Sequence, residues 1–467
     1  MSFYIIPRDD EMELQILLTD DKPKYRQIYE QIRQAILEKK LFAHTKLPSK
    51  RRLADQLNIS IMTVQIAYEQ LQSEGYSYSV ERQGYFVSEI ADEWHYTENA
   101  TTSLKKTAQS DYFINFKNGQ VDAAVFPYKQ WNRLYRKELN EFNGCNAPWQ
   151  GEYSLRVQIA RYLQQARGLD CQPEQVFIFS GFQQQLMNIC LFFNRKTVGT
   201  EEPGFIRAKS VFEQLQLQCH AVSVDEEGCC VPNKAIKLLY TTPAHQYPTG
   251  AIMSIARRIQ LLQWALKQDA YIIEDDYDSE FRYKGAPIAT LSHLDSFKRV
   301  LYFGTFSKTL LPSLRMSYLI MPTSLRSDFE EFNTYQKSTV SRIDQQVVAK
   351  FMEEGHYTAH IAKMRTLYRT KRSCLIESIT KHLGEEFKVM GDAAGLHIIV
   401  QLPERLNESI AIELAKSRGV KVDAVSTMYQ LHKPNHQVML GYGAPSLDEI
   451  QKGVSLLATA WKNSLSN

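Results

Sequence analysis

Between residues 25 and 36, Tyr25, Ile28, Ile32, Ala35 and Ile36 recur three and four positions apart, the period of an amphipathic helix, and the run stops near Lys39 and Lys40. In LPSKRRLADQL (47–57) Ser49 stands where a cap accepts a backbone N–H, with Leu53 and Leu57 turned inward. In SIMTVQIAYEQL (60–71) Ser60 takes the cap position, and Val64, Ala67, Tyr68 and Leu71 make the buried stripe. Asn58-Ile59 forms the short turn between these two helices. The next stretch, SEGYSYSVERQGYFV (73–87), alternates aromatics about Arg82-Gln83-Gly84, which predicts a two-stranded hairpin. Three helices and a hairpin read as a winged helix-turn-helix over residues 22–88.

After residue 88 the period disappears. Residues 89–112 (EIADEWHYTENATTSLKKTAQSDY) are polar and rich in Ser and Thr, the composition of an interdomain linker. From 113 to 467, apolar runs such as Val176 to Phe179, Tyr271 to Ile273 and Val300 to Phe303 alternate with longer amphipathic stretches such as Ile255 to Leu266. That alternation predicts an α/β domain. No internal repeat or low-complexity tract interrupts it.

Composition bounds the function. A chain of 467 residues, 44% hydrophobic and 23% charged, is globular and long enough for two or three domains. Its 55 Lys and Arg against 52 Asp and Glu exclude a wholly basic nucleic-acid coat. The balance is uneven, however: residues 22–88 hold 11 basic against 6 acidic side chains, a net +5, which leaves −2 for the remainder. The seven cysteines form no Cys-x-x-Cys pair and the histidines no cluster at ligand spacing, so neither a zinc ribbon, nor another metal site, nor a disulfide framework is expected, and a reducing cytoplasm fits best. Met1 to Thr19 carries Arg8, Asp9, Asp10, Glu11 and Glu13, unlike a secretory signal, and no apolar run approaches membrane-spanning length.

In the basic head, Ser60, Thr63 and Gln65 fall at the front of a recognition helix, where the first turn reaches base edges in a major groove. Arg51 is placed for backbone phosphate, and Gly84 tops the wing. A small helical bundle used for protein contacts would show the same caps and stripes.

In the body, RVLYFGTFSKTLLPSLRMSYL (299–319) runs from an apolar strand into small and hydroxyl residues and then Lys308. A partly desolvated Lys at a strand end can form an imine with an aldehyde cofactor; Thr305 and Ser307 can donate to a phosphate, and Arg315 can balance its charge. Alone this is weak, and a solvated surface Lys explains it better. YIIEDDYDSEF (271–281) adds Glu274, Asp275 and Asp276 at a strand terminus, followed by Tyr277. Pyridoxal phosphate accounts for them, since an ionised Asp keeps the ring nitrogen protonated and a phenol can bond the ring's oxygen. Magnesium on paired carboxylates competes, but no Gly-Lys-Ser or Gly-Lys-Thr loop accompanies it. In QVFIFSGFQQQLMNICLFF (175–193) a Ser180-Gly181 turn opens a helix, so the N–H groups of Phe182 and Gln183 can meet a phosphate. EEPGF (201–205) places Phe205 where its ring can stack on a pyridine or simply join the core.

Residues 22–88 resemble the GntR family of bacterial winged-helix regulators through LPSKRRLADQLNIS, TVQIAYEQLQSEGY and the GYFV wing. The whole of residues 22–467 resembles the MocR subfamily, in which such a head is fused to a fold-type I aminotransferase-like body, through NGQVDAAVFP, GEYSLRVQIARYL, SGFQQQL, EEPGF, TTPAHQYPTG, EDDYDSEFRY, GTFSKTLLPSLR and MLGYGAPS in that order. The resemblance implies that Lys308 is the Schiff-base lysine, Asp275 the ring-nitrogen partner, Tyr277 the phenolic-oxygen partner, and Ser307 and Arg315 phosphate ligands. It puts Tyr247 of HQYPTG beside the cofactor, and Arg207 where an anionic effector is held. It also implies a homodimer on a double-stranded DNA operator. The chain departs from the family patterns in three places. Gln246 and Tyr247 of HQYPTG stand before the Pro-x-Gly turn where many aminotransferases have Asn, which is closer to the regulator pattern. Ile61 and Met62 stand where members of the family usually have Arg and often Asn or Thr, and Met439 replaces the Arg with which aminotransferases clamp a substrate carboxylate. The expectation is a regulator that senses pyridoxal phosphate, an amine or an amino acid; a working aminotransferase with an accessory DNA-binding head is the alternative.

Overall fold

The computed structural model describes residues 5–8, 11–89, 112–141, 144–283, 288–431 and 433–466; the expected linker, 89–112, lies outside the described residues except at its two ends. The chain divides into two compact units, Met1–Ala108 and Gln109–Asn467.

In the first unit α1 (Lys24–Leu37), α2 (Lys50–Leu57) and α3 (Ile61–Ser73) pack around one core. The caps fall where the sequence puts them: Ser49 Oγ accepts from Arg52 N at 3.3 Å and Ser60 Oγ from Thr63 N at 3.2 Å. Val64, Ala67, Tyr68 and Leu71 are the buried face of α3, and the Tyr68 hydroxyl ties it to the start of α2 by donating to Pro48 O at 2.9 Å. Strands Ser77–Val80 and Gly84–Val87 pair antiparallel, and the turn between them uses left-handed backbone at Arg82 (φ 60°). The core reaches upstream of residue 22. Leu14 and Ile16 are buried in it, and the Gln27 side chain, itself buried, bonds the backbone of Thr19 and Lys22. A polar residue on the inner face of α1 thus pins the preceding segment, a contact that helical periodicity cannot reveal.

The second unit is built on an eight-stranded sheet in the order Val176–Phe179, Ser317–Ile320, Val300–Thr305, Tyr271–Asp276, Leu238–Thr241, Thr197–Glu202, Gln218–Asp225, Gly228–Cys229. Its strands run parallel except Ser317–Ile320 and the edge strand Gly228–Cys229. Val176–Phe179 and Leu238–Thr241 are buried from end to end and Val300–Thr305 up to its last residue, which is why they read as apolar runs. A second, four-stranded antiparallel sheet (Lys388–Met390, His397–Gln401, Gln437–Gly441, Asp423–Ala424) carries the helix Glu408–Ser417, against which Leu447–Ser466 packs. The C-terminal ends of the parallel strands share one edge of the large sheet, where an open α/β sheet leaves its ligand crevice.

Candidate functional site

In the body, the lysine, acid, Ser180-Gly181, Pro203-Gly204 and HQYPTG segments each stand at one of those strand ends, whereas Met439 lies within Gln437–Gly441 of the smaller sheet. Lys308 lies in the turn after Val300–Thr305, which closes by Ser307 N donating to Thr305 Oγ1 (3.1 Å) and Leu310 N to Phe306 O (2.8 Å). Thr305 Oγ1 also lies 3.4 Å from Met316 O, so this hydroxyl shapes the turn. The Lys308 side chain keeps part of its surface open, while its amine lies deep among protein groups. Loss of hydration, opposed by the Asp278 charge and reinforced by Arg207, pushes its pKa down to about 8. Gly119 adopts φ +91°, and a Cβ there would stand 3.4 Å from Lys308 Nζ, so the loop after Asn118 covers the amine.

Strand alternation separates the three acids of Tyr271–Asp276. Glu274 accepts from Leu291 N and Ser292 N, both at 2.8 Å, and caps a short helix; Asp276 takes Arg167 Nη2 at 2.6 Å and the Tyr302 hydroxyl at 2.7 Å. Asp275, on the opposite face, is held by the Tyr240 hydroxyl. Burial pushes Asp275 up to about 7. The three carboxylates therefore serve three separate sets of partners, and among the described residues no group of three or more His, Cys, Asp or Glu is arranged for a metal ion. Tyr277 donates from its hydroxyl toward His245, whose Nδ1 and backbone O both lie 3.0 Å away. His245 Nδ1 also lies 3.1 Å from both oxygens of the buried Asp278, and a Cβ on Gly395 would collide with this pair.

At the far strand, Gly181 caps the helix Phe182–Phe193 with φ 88°. A Cβ on Gly181 would sit 2.5 Å from Arg315 Nη2, so the guanidinium lies directly over that helix N-terminus. The N–H groups of Phe182 and Gln183 have no helical acceptor there. Arg315, turned by left-handed backbone (φ 48°), thus lies against the first turn of this helix, an arrangement suited to an anion. Phe205 packs edge-on between Phe182 (5.3 Å between centroids) and Tyr247 (5.5 Å), and Arg207 is exposed two residues on. The Tyr247 hydroxyl accepts from Asn118 Nδ2 at 3.3 Å and lies 4.0 Å from Met439 Sδ. Met439 itself is wholly buried with Ile399, Val425 and Met428.

In the head, Arg51 is exposed beside the first turn of α2 and Gly84 opens the wing at φ +111°. Ser60 and Thr63 face one another, with hydroxyl oxygens 2.7 Å apart. Gln65 accepts from Lys50 Nζ at 3.3 Å and donates to Glu69 at 2.7 Å.

Sequence reasoning missed Asn118, Tyr240, His245 and Asp278. Strand alternation would have separated Asp275 from its two neighbours; nothing local marks the rest.

The crevice at the strand ends, its lysine, and the anion spot under an arginine make the body an aminotransferase-like domain. Residues 114–435 match the model of aminotransferase class I and II, and residues 24–87 match bacterial regulatory proteins of the gntR family. Multiple substrate aminotransferase from Thermococcus profundus shares the fold with a TM-score of 0.69 at 24% identity, over 81% of this chain and 98% of that one. The HTH-type transcriptional regulator YdeL of Bacillus subtilis (strain 168) is 40% identical across 95% of this chain and 98% of its own length. The probable rhizopine catabolism regulatory protein MocR of Rhizobium meliloti is 29% identical across 94% of each. The chain belongs to the MocR-like HTH-type transcriptional regulators, in which a GntR head is fused to an aminotransferase class I and II body. Among the described residues no helix is long and apolar enough to cross a membrane.

Proposed function

We propose that the body holds pyridoxal phosphate through Lys308 and uses it to sense either the cofactor itself or an amine or amino acid, so that the occupied body alters how a homodimer grips its DNA operator in the cytoplasm. The observation that carries this reading is the pairing of a desolvated Lys308 and a buried Asp275 with an anion spot, beside a Met439 sealed under Tyr247. Aminotransferases of this class depend on pyridoxal phosphate, which when bound supplies an electrophilic aldehyde and an electron-withdrawing ring.

The residues present fit that group. Arg315, Ser307 and the open N–H groups of Phe182 and Gln183 would take the phosphate, with Thr305 fixing the turn that presents Ser307. Asp275 would meet the ring nitrogen. A cation there offsets the burial that raises its pKa, and the Tyr240 hydroxyl holds the carboxylate in place. Tyr277 would bond the phenolic oxygen, Phe205 would wall the ring on one side, and Tyr247 would stand beside it. Lys308, with its pKa near 8, keeps a useful fraction of neutral amine at physiological pH, which a nucleophile requires. Arg207, exposed at the rim and close enough to perturb Lys308, would hold an anionic effector group.

What is missing is the second anchor. A thioether donates no hydrogen bond to a carboxylate, so Met439 cannot orient an α-amino acid and its keto acid alike. Transamination should be slow or absent. The test is turnover with a panel of amino acids and α-keto acids, run beside DNA binding with and without added pyridoxal phosphate. Rapid multiple turnover with DNA affinity indifferent to the cofactor would replace the sensor with a working aminotransferase.

A further inference from the structure

The front of α3 is chemically unusual for a surface meant to meet DNA. Ile61 is 44% exposed, Met62 63% and Ile66 41%, three large apolar side chains in the first two turns. Met62 and Ile66 stack at i and i+4, and Ile61 lies beside them. The polar side chains of the same turns are already engaged within the protein. Ser60 and Thr63 bond each other, and Gln65 is shared between Lys50 and Glu69. The same head carries its cations on neighbouring elements: Lys50 of α2 reaches Gln65 of α3 at 3.3 Å, Arg51 and Arg52 are exposed on α2, and Lys46 lies 3.7 Å from where a Cβ on Gly84 of the wing would stand.

We propose that the head identifies its operator chiefly through thymine C5-methyl groups, which Ile61, Met62 and Ile66 contact in the major groove, and only secondarily through hydrogen bonds to base edges. The inference rests on the reading of the head as a DNA-binding domain and names what that domain reads. In the major groove the one apolar feature of a base pair is the thymine methyl, and its side of the groove distinguishes T·A from A·T. A patch of two Ile and one Met on a head with a net +5 over residues 22–88 matches such a surface in both respects: apolar side chains for the methyls and cations on the neighbouring helix for the phosphates. The net positive charge of residues 22–88 also disfavours a purely apolar protein partner for the same patch.

The experiment uses the full-length protein. Duplexes are enriched from a random-sequence pool, the protected core is mapped, and each of its thymines is replaced in turn by uracil, which removes the methyl and nothing else. Uracil at two or three positions should weaken binding roughly three- to fivefold each, the effect of exposing one methyl. In Met62→Ala or Ile66→Ala the same replacement at the matched position should cost nothing further, because the contact has already been lost. An all-uracil core bound as tightly as the thymine core would overturn the proposal, and that measurement needs no variant. Failure to enrich any duplex would instead overturn the DNA reading beneath it. An Ile61→Ser, Met62→Ser, Ile66→Ser variant that changes oligomeric mass while keeping its duplex affinity would assign the patch to a protein contact and overturn the proposal as well.

Discussion

The head and the body expose their chemistry in opposite ways. In the head, Arg51, Ile61, Met62 and Ile66 stand in solvent, and the polar side chains near them are joined to one another. In the body, Asp275 and Asp278 are buried, the Lys308 amine is held out of water, and Met439 is fully enclosed. A surface that must meet a duplex works by summing many weak, replaceable contacts. A site that must set the protonation of a few groups works by burying them, and each then depends on the others. Substitutions should therefore act in an all-or-none fashion in the body and by increments in the head.

The largest effect expected is that of Lys308→Ala. Borohydride treatment of the loaded wild type should leave the cofactor attached, and in the variant the attached fraction should fall to background. Persistent attachment would place the reactive amine elsewhere and break the contrast at its strongest point. Next comes Met439→Arg, which restores the residue that the resemblance associates with a carboxylate clamp. Because Ile399, Val425 and Met428 fill the space around Met439, the longer guanidinium would overpack an apolar shell, with only its cross-strand neighbour Asp423 and the Tyr247 hydroxyl to meet it. The body should lose about 3 kcal/mol or more of stability in denaturant unfolding and gain no turnover. A stable variant with new transaminase activity would mean that the pocket was merely idle.

Asp275→Asn has a smaller effect and one that depends on pH. In the cofactor-free protein Asp275 titrates near 7 rather than near its ordinary 3.8. The folded state then binds more protons than the unfolded one between about 4 and 7, so stability falls as pH rises through that window. The variant should lack this residue's share, leaving it more stable than wild type above pH 7 by on the order of one to a few kcal/mol. It should also retain the cofactor less well, because the ring nitrogen loses its anionic partner. Glu274, also pushed up to about 7, continues to titrate in the variant, so the decline is reduced and not abolished. Parallel unfolding curves for the two proteins from pH 4 to 8 would contradict the burial argument.

How much of this was legible beforehand follows from sequence distance. The caps Ser49 and Ser60, the stripe of α3, and the strand-end Lys308 are local patterns, and each stands where periodicity puts it. The Arg315 guanidinium over Gly181 was legible as two separate phosphate motifs, although not as one site. Tyr240 with Asp275, His245 with Asp278, and Asn118 with Asp423 are pairs 35, 33 and 305 residues apart, joined only when the strands assemble. No window along the chain contains both partners. The acid triplet 274–276 misleads for another reason: all three acids invite one explanation, while the pleat of the strand sends them to different faces.

The smallest effect is expected from Arg51→Ala, and its form matters more than its size. An exposed arginine at a phosphate neutralises about one charge, so losing it should weaken binding several-fold and lower the slope of log affinity against log salt by about 0.9. Since phosphates carry no sequence, the loss should be nearly the same on the selected operator and on an unrelated duplex. Met62→Ala should do the reverse, lowering affinity for the operator alone while leaving the salt slope in place. If Arg51→Ala instead discriminated between the two duplexes, the arginine would reach a base edge, and the division of the head into cations that hold and apolar side chains that choose would fail. Equal affinity of wild type and Arg51→Ala at every salt concentration would remove Arg51 from the interface altogether. The additive behaviour of the two substitutions in one chain is the final check, because a head that sums independent contacts should show free-energy losses that add within a few tenths of a kcal/mol.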